Sequence, residues 1–324
     1  VQSGDEPERD KDGNFVRQKS GAHKLVEKSG AAANAAASRA GGETSMLGAA
    51  GASGARGTGI VLVLIPGGTF WMGAQKTDPN GQNYDPEAFD RESPVHRVAL
   101  SPYFLSKYEL TQGQWSRFTG LNPSNYKSGF NGTVGITNPV EQVDWMTCER
   151  VTRGLGLELP SEAQWEFGAR GGTSSVWWTG SAKESLDDKV NLADQSYVEA
   201  GGPAAQAAWW PEFKDGFVVH APVGRLAAND FGLHEVCGNV WEWCFDAYAA
   251  YPEAGDASSA TRDPRMDGDG LAARVGRGGS FYDAATDARS AGRGNSTPTG
   301  RFNNLGVRPS RALRLSTSPP HNGR

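Results

Sequence analysis

All ten tryptophans of this chain fall at Trp71 or later, in a sequence that also carries 43 glycines and few long apolar runs. So much aromatic area needs a packed interior. So much glycine needs frequent turns. Together they predict a compact core wrapped in structured loops, not a helical bundle. The 324 residues suffice for one large irregular domain or two small ones. Residues 1 to 28 are charged and nearly free of large apolar groups, and residues 29 to 57 are mostly Ala, Gly and Ser. Such a stretch buries too little apolar surface to offset its conformational entropy. The expected organisation is a disordered leader or linker over 1–58, a folded domain over 59–315 and a flexible tail over 316–324.

The formal net charge is −5 and no basic stripe appears, which argues against nucleic acid as a partner. No apolar stretch reaches membrane-spanning length, so no membrane span is expected. The chain opens on Val1 and polar residues. Any targeting segment is expected to lie outside it, with an extracytoplasmic location. Three cysteines, Cys148, Cys237 and Cys244, allow at most one internal disulfide and do not fix the compartment.

Ile60 to Ile65 reads as a buried strand, and Pro66-Gly67-Gly68 as the turn of a hairpin to Thr69–Met72. Residues 74 to 93 read as a loop; Val95–Leu100 and Tyr103–Leu110 read as further strands. Three helix starts are marked. Thr111 and Ser161 each open a capping box with Gln three residues on, at Gln114 and Gln164. Asp144 caps a helix expected from Trp145 towards Leu155, with Gly156 as its stop. Gly171-Gly172 ends the helix after Ser161. Beyond Gly172 the pattern predicts short strands and loops, without a helix.

A series of motifs runs through the folded part. Ile65-Pro66-Gly67-Gly68-Thr69-Phe70-Trp71-Met72-Gly73 is followed by Glu92-Ser93-Pro94-Val95-His96 and Lys107-Tyr108-Glu109-Leu110-Thr111. Asn138-Pro139-Val140 and Leu159-Pro160-Ser161-Glu162-Ala163-Gln164-Trp165-Glu166 come next. Gly232 to Trp243 (GLHEVCGNVWEW) is the most specific block. Arg277-Gly278-Gly279-Ser280-Phe281 and Asn304-Leu305-Gly306-Val307-Arg308 close the set. In this order, over roughly residues 59 to 315, they resemble the sulfatase-modifying-factor family of formylglycine-generating enzymes. The resemblance implies an α+β fold of the irregular C-type-lectin-like kind, with few helices, short strands and long structured loops.

The family's enzymes oxidise a cysteine of a client sulfatase, using two cysteines just after the Gly-Gly-Ser motif to hold a copper ion. Here the segment from Gly278 to Ser290 contains no cysteine and is shorter than in the enzymes; Asp283 falls where the first thiolate is expected. Cu(I) requires soft ligands, so copper is not expected. Cys148, Cys237 and Cys244 read as small buried hydrophobes. A related group holds non-haem iron with three histidines. This chain has five, His23, His96, His220, His234 and His321, none in an i, i+4 pair. Asp283 and Asp287 read as solvated loop carboxylates.

Family members commonly hold structural calcium, and the resemblance carries two oxygen-ligand clusters onto this chain: Glu235, Gly238, Val240 and Glu242, and Asn191, Leu192, Asp215 and Phe217. Each combines side-chain oxygens with backbone carbonyls, as Ca²⁺ takes. Glu235 stands where many relatives have Asn or Asp, and the plainer alternative for Glu242 is a salt bridge to Arg308. An ion held by Asn191 and Asp215, 24 residues apart, would close a long loop.

The resemblance further places Trp241, Ser280, Asp283 and Asn304 in the cleft where the enzymes hold client peptide. An indole platform with hydroxyl and amide groups suits a protein, peptide or glycan ligand. The alternative for residues 274–314 is a solvated glycine-rich surface. The expected function is a non-oxidase, calcium-stabilised ligand- or protein-binding module. Two alternatives stay open: an enzyme of the family with another chemistry or metal, and a diversity-generating-retroelement variable protein that binds ligands through 274–314.

Overall fold

Two prolines facing each other organise the N-terminal part of the fold. In this computed structural model, which describes residues 59–252 and 259–313, β1 (Leu62–Ile65) pairs antiparallel with β4 (Tyr103–Ser106), and β2 (Gly68–Met72) with β3 (His96–Leu100). Ile65 faces Tyr103 and Gly68 faces Leu100, so the register is unbroken across the interruption. Pro66 and Pro102 fall inside that gap and cannot donate to a ladder. One long antiparallel pair is thereby kinked into two sheets. The hairpin expected between Ile60–Ile65 and Thr69–Met72 does not form. Gly67, at φ 69°, lies so close to the opposite strand that a Cβ would stand 2.3 Å from the Leu100 carbonyl oxygen. Nor is β1 wholly buried: it is an edge strand, and Leu64 is half exposed. The strands expected from Val95 and through Leu110 are shorter, ending at Ser106 in the latter case.

The three helix starts stand where the capping residues put them. Helix α1 (Gln112–Thr119) is capped by Thr111 and stopped by left-handed Gly120. Helix α2 (Trp145–Gly154) has Asp144 as N-cap. Helix α3 (Glu162–Arg170) is capped by Ser161 and stopped by Gly171. Contrary to the expectation for the region beyond Gly172, two short helices occur there, α4 (Gln195–Glu199) and α5 (Ala204–Ala207). Asp194 accepts the amide of Tyr197 and nucleates the first. At five and four residues, neither is long enough to show an apolar period.

The remaining strands are β5 (Trp241–Ala247), β6 (Thr261–Arg262), β7 (Arg274–Arg277), β8 (Arg293–Ser296), β9 (Leu305–Gly306) and β10 (Ser310–Ala312). Among the described residues the sheets run β1-β4-β10, β2-β3-β6 and β8-β7-β5-β9. Leu110, Trp115, Val140, Cys148, Leu159 and Trp243 share one core; Trp177, Leu192, Trp210, Phe213 and Cys237 share another. The leader expected over 1–58 and the tail over 316–324 lie outside the described residues.

Arginines tie these layers together from inside. Arg277 donates to Glu166, Arg293 to Glu162 through two bonds of 2.7 Å, Arg289 to Asp85 and Glu92, and Arg308 to Glu242. All four arginines are at most 2% exposed. The stretch from Arg274 to Leu313 is therefore not the solvated surface that its polar composition permits.

Candidate functional site

Three elements of the four-stranded sheet meet where the resemblance implies the ligand recess. Trp241 opens β5, Asn304 precedes β9, and residues 278 to 292 connect β7 to β8. Gly276 and Gly294 are cross-strand partners, and the Trp241 ring lies over both. A Cβ added at Gly294 would stand 3.3 Å from Trp241 Cζ3. Glycine at this pair thus leaves the floor on which the indole lies.

The four residues expected to line a ligand cleft are brought into one network. Trp241 Nε1 donates to Asp283 Oδ2 at 2.8 Å, and the Ser280 hydroxyl donates to the same oxygen. Asn304 Nδ2 donates to Ser280 Oγ at 3.0 Å, and the Tyr282 amide to the same oxygen at 3.2 Å. The loop is pinned by its backbone: Ala193 N donates to Asp283 O, Phe281 N to Asn239 O, and Gly238 N to Gly278 O. Asp283 is therefore not the solvated carboxylate expected from sequence. It is half-buried, and burial pushes its carboxyl above the ordinary range against the pull of Ser280 and Trp241. Asp287 is separate from it in role, 3.8 Å from Arg91.

Several residues that the sequence reading missed belong here. The rings of Tyr197 and Tyr282 meet edge-on at 5.5 Å. Burial and Tyr282 together push the Tyr197 phenol well up. Tyr126 packs on Phe281 and accepts a hydrogen bond from Asn303 Nδ2 at 2.9 Å. The only local signals were adjacency: Tyr282 follows the Gly-Gly-Ser motif and Asn303 precedes Asn304. A cavity of about 550 Å³ lies elsewhere, lined by Glu149, Arg153, Phe245, Arg265 and Arg311 among others.

The donor set of the recess does not fit copper. Its side chains are hydroxyls, amides, an indole and a carboxylate. Cys148, Cys237 and Cys244 are all free and buried. Burial pushes the Cys237 thiol up to about 12 and also raises Cys148 and Cys244 well above the ordinary thiol range, so none is a ready thiolate.

The two oxygen clusters differ. Both oxygens of Glu235 accept backbone amides, from Gly224 and Leu226. Both oxygens of Glu242 face Arg308, and Trp165 Nε1 donates to Oε2 at 2.6 Å. The salt bridge that was the plainer alternative for Glu242 is realised, and because the Arg308 guanidinium already occupies both Glu242 oxygens, Glu235, Gly238, Val240 and Glu242 do not fit a second cation as they stand. Gly238 instead serves close packing. At φ 78°, its missing Cβ leaves room for the Asn191 carbonyl, 2.2 Å from where that Cβ would be. Asn191, Leu192, Asp215 and Phe217 do fit. Asn191 Oδ1 is buried without a hydrogen-bond partner. Asp215 accepts the amides of Leu192 and Phe217, while burial and the nearby carboxylate of Asp194 push it well above the usual range. A hard cation relieves both conditions. Among the described residues no three His, Cys, Asp or Glu side chains form a metal cluster, so backbone carbonyls would have to complete such a site.

Against known proteins, the model of the sulfatase-modifying factor enzyme 1-like domain matches residues 52–313. This chain belongs to that family. It is 30% identical over 268 residues to the formylglycine-generating enzyme of Thermomonospora curvata, covering 68% of this chain and 82% of the relative. It is 29% identical over 301 residues to that of Streptomyces coelicolor, covering 76% and 87%. Among solved structures, Treponema denticola variable protein 1 superposes with a TM-score of 0.59 at 22% identity, over 78% of this chain and 95% of its own. PvdO from Pseudomonas aeruginosa gives 0.60 at 22%, over 78% and 94%. These likenesses establish the sulfatase-modifying-factor fold, an irregular α+β architecture of the C-type-lectin kind.

Proposed function

We propose that this chain is a non-oxidase member of its family that binds a ligand through the recess around Trp241, Ser280, Asp283 and Asn304. One observation carries the reading. The position expected for the first thiolate is held by Asp283, fixed in place by Trp241 and Ser280. A carboxylate is a hard donor and does not replace a thiolate for Cu(I). The polar recess suits a peptide, protein or glycan better than an apolar ligand. Among the described residues no helix is long and apolar enough to cross a membrane. Competition for Cu(I) against a chromophoric chelator tests the reading. The protein is expected to leave the metal with the chelator. Stoichiometric withdrawal of Cu(I), lost in Cys237→Ser or Cys244→Ser, would support an enzyme with a relocated site.

Calcium at Asn191, Leu192, Asp215 and Phe217 belongs to the same proposal. The ion would be structural, tying the loop around Asp215 to the strand-like segment at Asn191. With free ion about a hundredfold above its dissociation constant, linkage adds about 2.7 kcal/mol. A chelator is expected to lower Tm, and Asp215→Ala to remove most of that response. An unchanged Tm on chelation contradicts the site.

A further inference from the structure

The cavity of about 550 Å³ opens where α2, β5 and β10 come together, and none of Trp241, Ser280, Asp283 and Asn304 lines it. One wall forms where two backbone segments part. Glu158 and Ser310 make an isolated antiparallel bridge, each amide donating to the other residue's carbonyl. The pairing goes no further. The Ala312 amide, two residues on, donates to the side chain of Glu158, to Oε1 at 3.1 Å. Glu158 Oε2 accepts from Arg265 at 3.1 Å, so both oxygens of this carboxylate are engaged. Arg265 also covers the Phe245 ring, 3.3 Å from its centroid. Arg153 Nε meets Glu149 at 2.7 Å. The fifth charged residue of the lining, Arg311, has no such partner. Its side chain is exposed, and among the described residues it makes no ion pair and no hydrogen bond. Leu157, Leu159, Phe245 and Ala312 add apolar surface to the same lining.

Arg153, Arg265 and Arg311 against Glu149 and Glu158 leave the cavity with one positive charge, in a chain whose formal net charge is −5. We propose that this cavity takes the carboxylate end of a small amphiphilic acid, with Arg311 as its counter-ion and the apolar lining against its body. A guanidinium presents a planar fork that matches a carboxylate, and the leucine surface takes up apolar area. A second negative charge, as on phosphate, would find no free cation and would face Glu149 and Glu158 as like charges. An amine would meet Arg311 as a like charge. The inference is independent of the recess around Trp241, and either can fail alone. Two sources share this chemistry, the C-terminus of a peptide that ends in an apolar residue and a free short-chain acid.

The test follows the backbone amides of Leu157 and Ala312, both in the lining, in the ¹⁵N-labelled full chain. The probes are hexanoate, its neutral isostere hexanamide, N-acetyl-Gly-Gly-Leu as the free acid and as the C-terminal amide, and inorganic phosphate. The two acids are expected to move these signals saturably, and their neutral counterparts to bind about tenfold more weakly or not at all. Phosphate is expected to bind more weakly than hexanoate. Tighter binding by the peptide acid assigns the ligand to peptide C-termini, and equal or tighter binding by hexanoate to free acids. Arg311→Gln removes the charge from an exposed side chain and should weaken both acids about tenfold while leaving the neutral probes unchanged. Should that variant unfold, the paired probes on the wild-type chain decide alone. Equal binding of acids and neutral counterparts, phosphate binding as tightly as hexanoate, acid affinity unchanged in Arg311→Gln, or no saturable shift from any probe overturns the proposal and leaves the non-oxidase reading standing.

Discussion

Replacing Arg308 with methionine is expected to cost about 3–5 kcal/mol of folding stability, because it strips the cation from buried acids. Arg308 is fully buried and donates to Glu242 and to the carbonyls of Ser106, His234 and Glu235. Glu109 Oε2 lies 4.0 Å from it and has no hydrogen bond. Burial already pushes Glu109 well above the ordinary range, and the neighbouring Glu235 and Glu242 push further, with Arg308 the main opposing charge. A carboxyl whose folded pKa is raised gives stability that is full at acid pH and is lost as pH rises through the folded value. Removing Arg308 raises Glu109 and Glu235 further, so the defect grows with pH above the ordinary glutamate range. Urea unfolding of the wild type and Arg308→Met at pH 5 and pH 8 checks this. A defect below about 1 kcal/mol, the scale of an exposed pair, would contradict the buried role.

Glu166→Gln should cost a similar amount, about 3–5 kcal/mol, for the opposite reason. Glu166 is fully buried and accepts the Gly73 amide at 2.8 Å, Arg170 Nε at 2.9 Å and Arg277. Burial alone would raise its carboxyl, but Arg170 and Arg277 outweigh burial and hold it below the ordinary range. A depressed carboxyl contributes stability that is present above the unfolded pKa and is lost as pH falls through the folded value. The gap between wild type and Glu166→Gln should therefore hold at neutral pH and close only in acid, below the ordinary glutamate range. A gap that closes above that range would mean the two arginines do not hold the charge.

The two substitutions probe what local pattern could not show. Thr111, Asp144 and Ser161 announced their helices because a cap acts within one turn. Trp241, Ser280, Asp283 and Asn304 were placed together by the motif series, and the recess follows from it. The sharing of Asp283 between an indole and a hydroxyl was not legible, because the indole comes from β5, 42 residues away. Arg277, Arg289 and Arg293 sit in a polar, glycine-rich stretch that also admitted a surface reading, yet each meets an acid 111 or more residues away, while the Arg308–Glu242 pair was the one such contact the sequence offered. Periodicity carries no trace of such pairs. The kinked ladder was hidden for a related reason. Pro66-Gly67-Gly68 carries a turn signal, and only the opposing Pro102 turns it into a sheet switch. The pairing of Asp194 with Asp215 likewise needed the fold.

Above all, the recess is expected to bind without oxidising. A client peptide of the form Cys-x-Pro-x-Arg, incubated with the full chain, oxygen, reductant and Cu(I), is followed by mass spectrometry for the lighter formylglycine product. No conversion is expected with or without copper, since the loop from Ser280 to Arg308 offers only oxygen and nitrogen donors and all three thiols are buried elsewhere. Turnover that depends on copper and vanishes in Cys237→Ser or Cys244→Ser would contradict the non-oxidase reading.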